Sequence, residues 1–462
     1  MTRLFRIAIL IAIMFSAKGA FAAGANWYVQ KGATGSNNGT SWTNAWNEMN
    51  QINFSTVACG DTIWLAGGTY TTGLSVNKNC TAGNVLTIER VLSTDTVPAS
   101  APGWNSAFDS QVVIQSSQIT IGGGNYWTID GRIGTTAGNN FGIAVQYTSG
   151  SGGNGIFESN SVGVVTNITF SHVELMGPPC SATDGSCSGG SDGLNLTAYG
   201  NPAQNVTFDH GWIHRWGEAI RYLDVQNSTV QYTDIDTVND GNTEHADVLY
   251  ATGATNWTFR YNRVWGVIAD GIFFDGSQGP VSGINIYGNV FYHNAGSIID
   301  CYPGTYSDFH IYNNVFIDDG QPSGNHPSFL YIQSTLGGTS AIEDNVFDGV
   351  SWDAGSVGTA DYNAFSTKSG KQDSGTHSLT YTSGGQFVNA PDTANPIAAD
   401  FHLTSTGVTT FQNGIALPSP FNVDADGNVE GANGTALIGA YQNSGSQSQA
   451  PQPPTGLVAT AQ

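Results

Sequence analysis

The chain has 462 residues, only 10% of them charged, with a formal net charge of −22. So acidic a chain is a poor ligand for nucleic acid or an anionic membrane surface, which excludes those function classes. It is also an odd unaided partner for a polyanion. Residues 1–22 hold Arg3 and Arg6, an apolar run over Ile7–Phe15, and Ala20-Phe21-Ala22 as a small-x-small site. That is the pattern of a secretory signal peptide, too short for a membrane span. The expectation is a secreted monomer, cleaved near Ala22 and not inserted in a membrane. Loss of Arg3, Arg6 and Lys18 takes the net charge from −22 to −25.

Five cysteines in an exported chain suggest disulfides. Cys59 and Cys80 flank the first strand region, and Cys180 and Cys187 close a tight Gly/Ser loop. Pairing them so leaves Cys301 free, although spacing alone does not decide connectivity. Residues 26–70 include Asn26-Trp-Tyr-Val-Gln30, Gly35-Ser-Asn-Asn-Gly-Thr40 and Cys59-Gly-Asp-Thr-Ile-Trp-Leu-Ala-Gly-Gly-Thr-Tyr70. This opening resembles the N-terminal cap and first coil of the pectate-lyase-like superfamily of right-handed parallel β-helix proteins. Ala399-Asp-Phe-His-Leu403, Asp424-Ala-Asp-Gly-Asn428 and Ile438-Gly-Ala-Tyr441 resemble the tail of its bacterial members. The resemblance implies an all-β solenoid with a cap at each end, over residues 23–442. It leaves the reaction open, because the superfamily includes lyases, glycoside hydrolases, epimerases and non-catalytic surface proteins.

Residues 91–160 read as early coils with long excursions, and 177–191 as a loop beside the strand that begins at Asp192. From Asn167 onward one phrase recurs: Asn167-Ile-Thr-Phe170, Asn205-Val-Thr-Phe208, Asn227-Ser-Thr-Val230, Asn256-Trp-Thr-Phe259, Gly283-Ile-Asn-Ile286 and Asp308-Phe-His-Ile311, with a degenerate copy ending at Ile342. The steps between the final apolar residues are 38, 22, 29, 27, 25 and 31. A period in the twenties with insertions marks a solenoid whose units bury their apolar faces against each other. Alternating Val, Ile, Thr and Phe bounded by Gly, Asn and Asp make the units β. The Asn-x-Thr phrases match glycosylation acceptors, but their spacing favours a turn-and-strand role. Three residues after the key apolar position stand Asn262, Asn289, Asn314 and Asn345. They read as a stacked amide ladder, with Asn supplying left-handed backbone at a tight corner. His172, His210, Tyr232 and Tyr261 form a further stack, read as structural, as are His293, His310 and His326. Residues 351–440 read as last coils and a cap. Residues 443–462 read as a flexible linker whose Pro454–Thr460 resembles the first strand of a truncated fibronectin type III module.

A second register aligns Asp192-Gly-Leu, Glu218-Ala-Ile, Asp247-Val-Leu and Asp270-Gly-Ile, broken at Gly296-Ser-Ile. Four acids at roughly 4.8 Å spacing raise each other's pKa or recruit a cation. One residue on, Gly193, Ala219, Val248 and Gly271 are expected as an outward floor. Three residues on come Asn195, Arg221, Tyr250 and Phe273, a mix suited to sugar rings, hydroxyls and carboxylates. Arg215 is a further substrate-binding candidate beside His214 and Trp216, and His245 shares a strand face with Asp247. Asp275 and Asp300 are possible extra ligands, and Asp234, Asp236 and Asp240 are placed in a loop.

Three readings follow. The first is a calcium-assisted polysaccharide lyase acting on uronate polymers. Asp192, Glu218, Asp247 and Asp270 would hold the calcium, and Arg221, Arg215 or His245 would be the base. Its weak point is that no lysine lies between Lys78 and Lys368. The second is a glycoside hydrolase (or epimerase) using paired carboxylates from among Glu218, Asp247 and Asp270. The third is a non-catalytic glycan-binding solenoid.

Overall fold

A computed structural model describes residues 24–134, 140–149, 153–158, 165–181, 186–187, 192–197, 201–240, 246–294, 296–318, 329–390, 398–432 and 434–442. The signal-peptide and linker expectations lie outside these residues. No helix among them is long and apolar enough to cross a membrane.

The repeat becomes three strands per coil. Gln204–Asp209, Trp212–Trp216 and Glu218–Leu223 make one coil, and Thr229–Gln231, Asp234–Val238 and Leu249–Thr252 make the next. Every key apolar residue pairs with its successor: Phe170 with Phe208, then Val230, Phe259, Ile286, Ile311 and Ile342. The middle strand of each coil belongs to a 12-stranded sheet, and the other two to a 21-stranded sheet. The two faces of that larger sheet are joined by one long strand, Ile119–Asp130. Its first half pairs with Ile156–Glu158 and its second half with Thr166–Ser171. The only antiparallel pairing between the described strands is Phe387–Asn389 with Asp400–Leu403. This is a right-handed parallel β-helix.

Local chemistry explains the corners. Asn167, Asn205, Asn227, Asn256, Gly283 and Asp308, the first residues of the repeated phrase, all have left-handed backbone with φ between 51° and 68°. Asn, Asp and Gly are the types that adopt it at least cost. At the next corner the ladder is confirmed and extended. Asn289 Nδ2 donates to Asn314 Oδ1 at 3.0 Å, Asn314 to Asn345 at 2.9 Å, and Asn345 to Asn363 at 3.1 Å. One expectation fails there. The ladder amides do not take the left-handed conformation, which falls one residue earlier at Tyr232, Tyr261, Gly288, Asn313, Asp344 and Tyr362. The amide is needed instead because each buried side chain both donates along the axis and accepts a backbone N–H from the coil before.

Inside, Phe291, Phe316, Phe347 and Phe365 stack at 5.4, 5.3 and 4.9 Å between centroids. The His172–His210–Tyr232–Tyr261 rings stack along an outer corner at 5.2, 4.7 and 5.0 Å. Disulfides join Cys59 to Cys80 and Cys180 to Cys187, and Cys301 is free and buried. The C-terminal segment lays Phe401, Phe411 and Ile438 on Trp265, Tyr292, Val315 and Val346 of the 12-stranded sheet. It therefore covers a different face from the one that carries the acids.

Candidate functional site

The acid register holds. Asp192 is paired with Glu218 across neighbouring strands. The pairings Ile220–Leu249 and Leu249–Ile272 put Asp247 and Asp270 in the same line. The column continues one residue later than expected, because Ile272 pairs with Ile299 and so aligns Asp270 with Ser297 rather than Gly296. The expected floor is also corrected. Ala219 and Val248 are fully buried in the core, and a Cβ on Gly193 would stand 2.5 Å from Ile213 Cγ2. These positions turn inward where the strand starts from a corner, and of the preceding acids only Asp270 stays half-exposed.

Charge and hydrogen bonding divide the acids into two pairs. Arg221 Nε donates to Glu218 Oε2 at 2.8 Å and lies 3.6 Å from Asp192 Oδ2. Burial works against the guanidinium's charge, but Glu218 and then Asp192 outweigh it and hold its pKa above the usual value. Glu218 itself is buried, and burial, then Asp192, push its carboxyl well up. Asn195 Nδ2 donates to Asp192 Oδ2. In the second pair, Asp247 Oδ1 accepts the Asp270 N–H at 3.2 Å, and Asp270 Oδ1 accepts the Ser297 N–H at 3.0 Å. Asp247 is fully buried and Asp270 is half-buried on the rim. Burial first, then the charges of Asp247 and Asp300, push the Asp270 carboxyl up to about 8. It carries its proton at neutral pH.

The outward ladder is continuous. Asn195 pairs with Arg221, Arg221 with Tyr250, Tyr250 with Phe273, Phe273 with Asp300 and Asp300 with Tyr331. Arg221 lies 5.3 Å above the Tyr250 ring, and Tyr250 stacks on Phe273 at 5.6 Å and 12°. Phe273 meets Tyr302 at 6.2 Å, and Tyr302 is 48% exposed. Tyr250 OH donates to Asp275 Oδ2 at 3.0 Å. Although burial opposes it, Asp275 is held below the usual range by hydrogen bonds from Ser277, Tyr250 and Gln278.

Tyr302 was not singled out from the sequence, and Asp300 was not placed on this ladder. Asp300 continues the Phe273 register one coil further, and Tyr302 continues that of Asp275. Arg215 lies on Trp212–Trp216, in the other sheet, where its Nη1 donates to Met176 Sδ at 3.7 Å. Asp234 and Asp236 lie on the strand Asp234–Val238 of that sheet, not in a loop; Asp234 is clasped by Arg263 and Asp236 by Trp212. Their alternation with Ile235 and Thr237 is a strand pattern. His245 and Glu244 lie outside the described residues.

Calcium, expected on the four acids, would have to share their oxygens with partners already in place. Among the described residues no three His, Cys, Asp or Glu side chains are grouped to share one cation. The guanidinium already occupies the space between Asp192 and Glu218, and Asp247 and Asp270 use oxygens on backbone N–H groups.

No protein-family model and no curated protein matches the chain. Solved structures similar to it include pectate lyase Pel9A, at 15% identity and TM-score 0.43 over 92% of this chain and 97% of that one. XylC in complex with xylose is 8% identical, with TM-score 0.49 over 90% and 98%. A GH136 lacto-N-biosidase from Eubacterium ramulus is 11% identical, with TM-score 0.43 over 78% and 68%. The parallel β-helix of this chain rests on its own strand pairings. Likeness at this level carries nothing about the reaction, which has to be argued from the side chains.

Proposed function

We propose that the protein is a glycan-processing enzyme that hydrolyses glycosidic bonds along the Asn195–Arg221–Tyr250–Phe273–Asp300 ladder. What supports this reading is the placement of Asp300 one strand over from Asp270, whose carboxyl is pushed up to about 8 by burial, then Asp247, then Asp300. Asp300 lies one strand over and three residues further than the partner of Asp270. Strand geometry puts their Cα atoms about 11 Å apart. Inverting hydrolysis requires their carboxyls to stand roughly 6.5–9.5 Å apart.

Asp270 donates its proton to the glycosidic oxygen as the bond to the anomeric carbon breaks. Asp300 takes a proton from the water that attacks that carbon from the opposite face. Tyr250 and the exposed Tyr302 offer aromatic surface to sugar rings, with the buried Phe273 ring packed between them. Asp247 is a positioning residue: it orients the Asp270 backbone and keeps its carboxyl neutral. Glu218 and Asp192 fix Arg221.

Elimination on a uronate has less support. Arg221 is held charged by two carboxylates and is a poor base, and burial and Asp275 raise the Tyr250 pKa. Product analysis separates the two. Hydrolysis gives new reducing ends without unsaturated-uronate absorbance and is indifferent to chelator. An absorbance rise that requires calcium would replace this reading with elimination.

A further inference from the structure

We infer that the glycan taken by this face is uncharged, bearing neither carboxylate nor sulfate groups. The inference rests on the placement of the binding ladder proposed above, and it concerns the charge of the ligand rather than the bond broken.

Between residues 133 and 367 the chain contains no lysine and four arginines. Arg263 is spent on Asp234 in a two-pronged ion pair, with Nε and Nη2 donating at 2.8 and 2.7 Å. Arg260 donates to Gln231 and to Tyr287 OH on the other face of the large sheet. Arg215 contacts Met176 in the 12-stranded sheet. Only Arg221 stands on the ladder, and Glu218 and Asp192 already neutralise it. Because the cation count comes from sequence, the loops beside the ladder cannot add a lysine or arginine, whatever their conformation.

Against this single committed cation the same face presents Asp275 and Asp300 around the Tyr250–Phe273 pair. Further along, Asp353 faces Tyr331, with Lys371 Nζ 3.3 Å from its carboxylate. A polyuronate or sulfated chain laid here would set its own charges against carboxylates at each step, with no free guanidinium to fork onto them. An uncharged chain meets none of this. It is held by stacking on aromatic faces and by the acceptor and donor atoms of Asp, Asn and Tyr. Among the described residues no three His, Cys, Asp or Glu side chains are grouped to bridge two anions through a metal. The charge of the whole chain has the same sign.

The test is affinity electrophoresis of the full chain at pH 7.5. The gels contain linear xylan, galactan or β-glucan, then polygalacturonate, alginate and chitosan, each with and without calcium, at 50 and 500 mM NaCl. The expected result is retardation by at least one of the uncharged polymers, with an apparent Kd that changes less than about twofold with salt. Polyuronate binding is expected to be at least about 100-fold weaker, with or without calcium. Tyr250→Ala should weaken retention, and circular dichroism checks that this variant folds. Retention by a polyuronate alone, by chitosan alone, or by no uncharged polymer overturns the inference. Reducing-end release is measured separately on the same polymers. Retention on an uncharged polymer without turnover sinks the hydrolase reading and leaves this one standing, and turnover of a polyuronate without unsaturation does the reverse.

Discussion

Replacing Asp247 by Asn should move the alkaline limb of the pH–activity profile without touching substrate. Asp247 is fully buried, and its Oδ1 accepts the Asp270 N–H, a bond that an amide oxygen retains. What the substitution removes is a negative charge one strand away. At about 4.8 Å and an effective dielectric near 20, that charge costs ionised Asp270 about 3 kcal/mol, or roughly two pKa units. Burial, the larger cause, remains, so the Asp270 carboxyl should fall from about 8 toward roughly 6. Because Asp270 acts protonated, kcat/KM should decline above roughly pH 6 in the variant, against about pH 8 in the parent. At pH 7.5 that is a loss of about tenfold or more. The assay is reducing-sugar release from pH 4.5 to 9.5, and the readout is the position of the limb rather than the height of the plateau. A limb that stays within about 0.3 unit of the parent's would refute Asp270 as the acid or Asp247 as its neighbour.

Other outcomes follow from the same structure. Asn289→Ala removes the acceptor of two buried donors, Asn262 N and Nδ2, at 2.9 and 3.1 Å. At about 1–3 kcal/mol per unsatisfied group it should cost about 2–6 kcal/mol in urea unfolding, whereas a loss below about 1 kcal/mol would deny the ladder its structural role. Tyr302→Ala should raise the apparent Kd for glycan about tenfold by removing an exposed ring, with little change in the position of the pH limb. Asp344 is fully buried at the cap, where burial and then Glu430 push its carboxyl up to about 9. The native state therefore binds a proton that the unfolded chain releases near pH 4, and stability should fall as pH rises from about 4 to 9. Asp344→Asn should flatten that fall in Tm; an equally steep profile would contradict it. Removing the Cys59–Cys80 bridge, which spans 21 residues, should cost about 3 kcal/mol by the loop-entropy model.

The sequence made the architecture readable because a β-solenoid repeats its constraints. Phe170 to Ile342 could be counted along the chain, and each does stack on the next. The amides from Asn262 to Asn345 were visible for the same reason, and so was the line from Asp192 to Asp270. What could not be read depended on a one-residue phase. The left-handed corner falls at Tyr261 and Asn313, one position before the ladder amides, because the backbone reverses before the side chain stacks. Gly193 and Ala219 turn inward because a strand that starts at a corner resets its alternation. The column runs on through Ser297 rather than Gly296 because Ile299, not Ile298, pairs with Ile272. Residue types also conceal how they are used. Arg221 read as a base or a ligand for carboxylates, but two acids that are distant in sequence meet on it. Asp300 looked peripheral until its pairing with Phe273 set it beside Asp270.

The account's central claim is that Asp270 delivers a proton during hydrolysis of an uncharged glycan. The most direct measurement follows the products of wild type and Asp270→Asn by proton NMR on whichever uncharged polymer the protein retains. The account predicts new reducing ends whose anomeric signal first appears inverted relative to the substrate linkage. It also predicts a loss of about 10²–10⁴-fold in kcat for Asp270→Asn, with Kd kept within a few-fold. Unsaturated products, or an Asp270→Asn enzyme as fast as wild type, would contradict it.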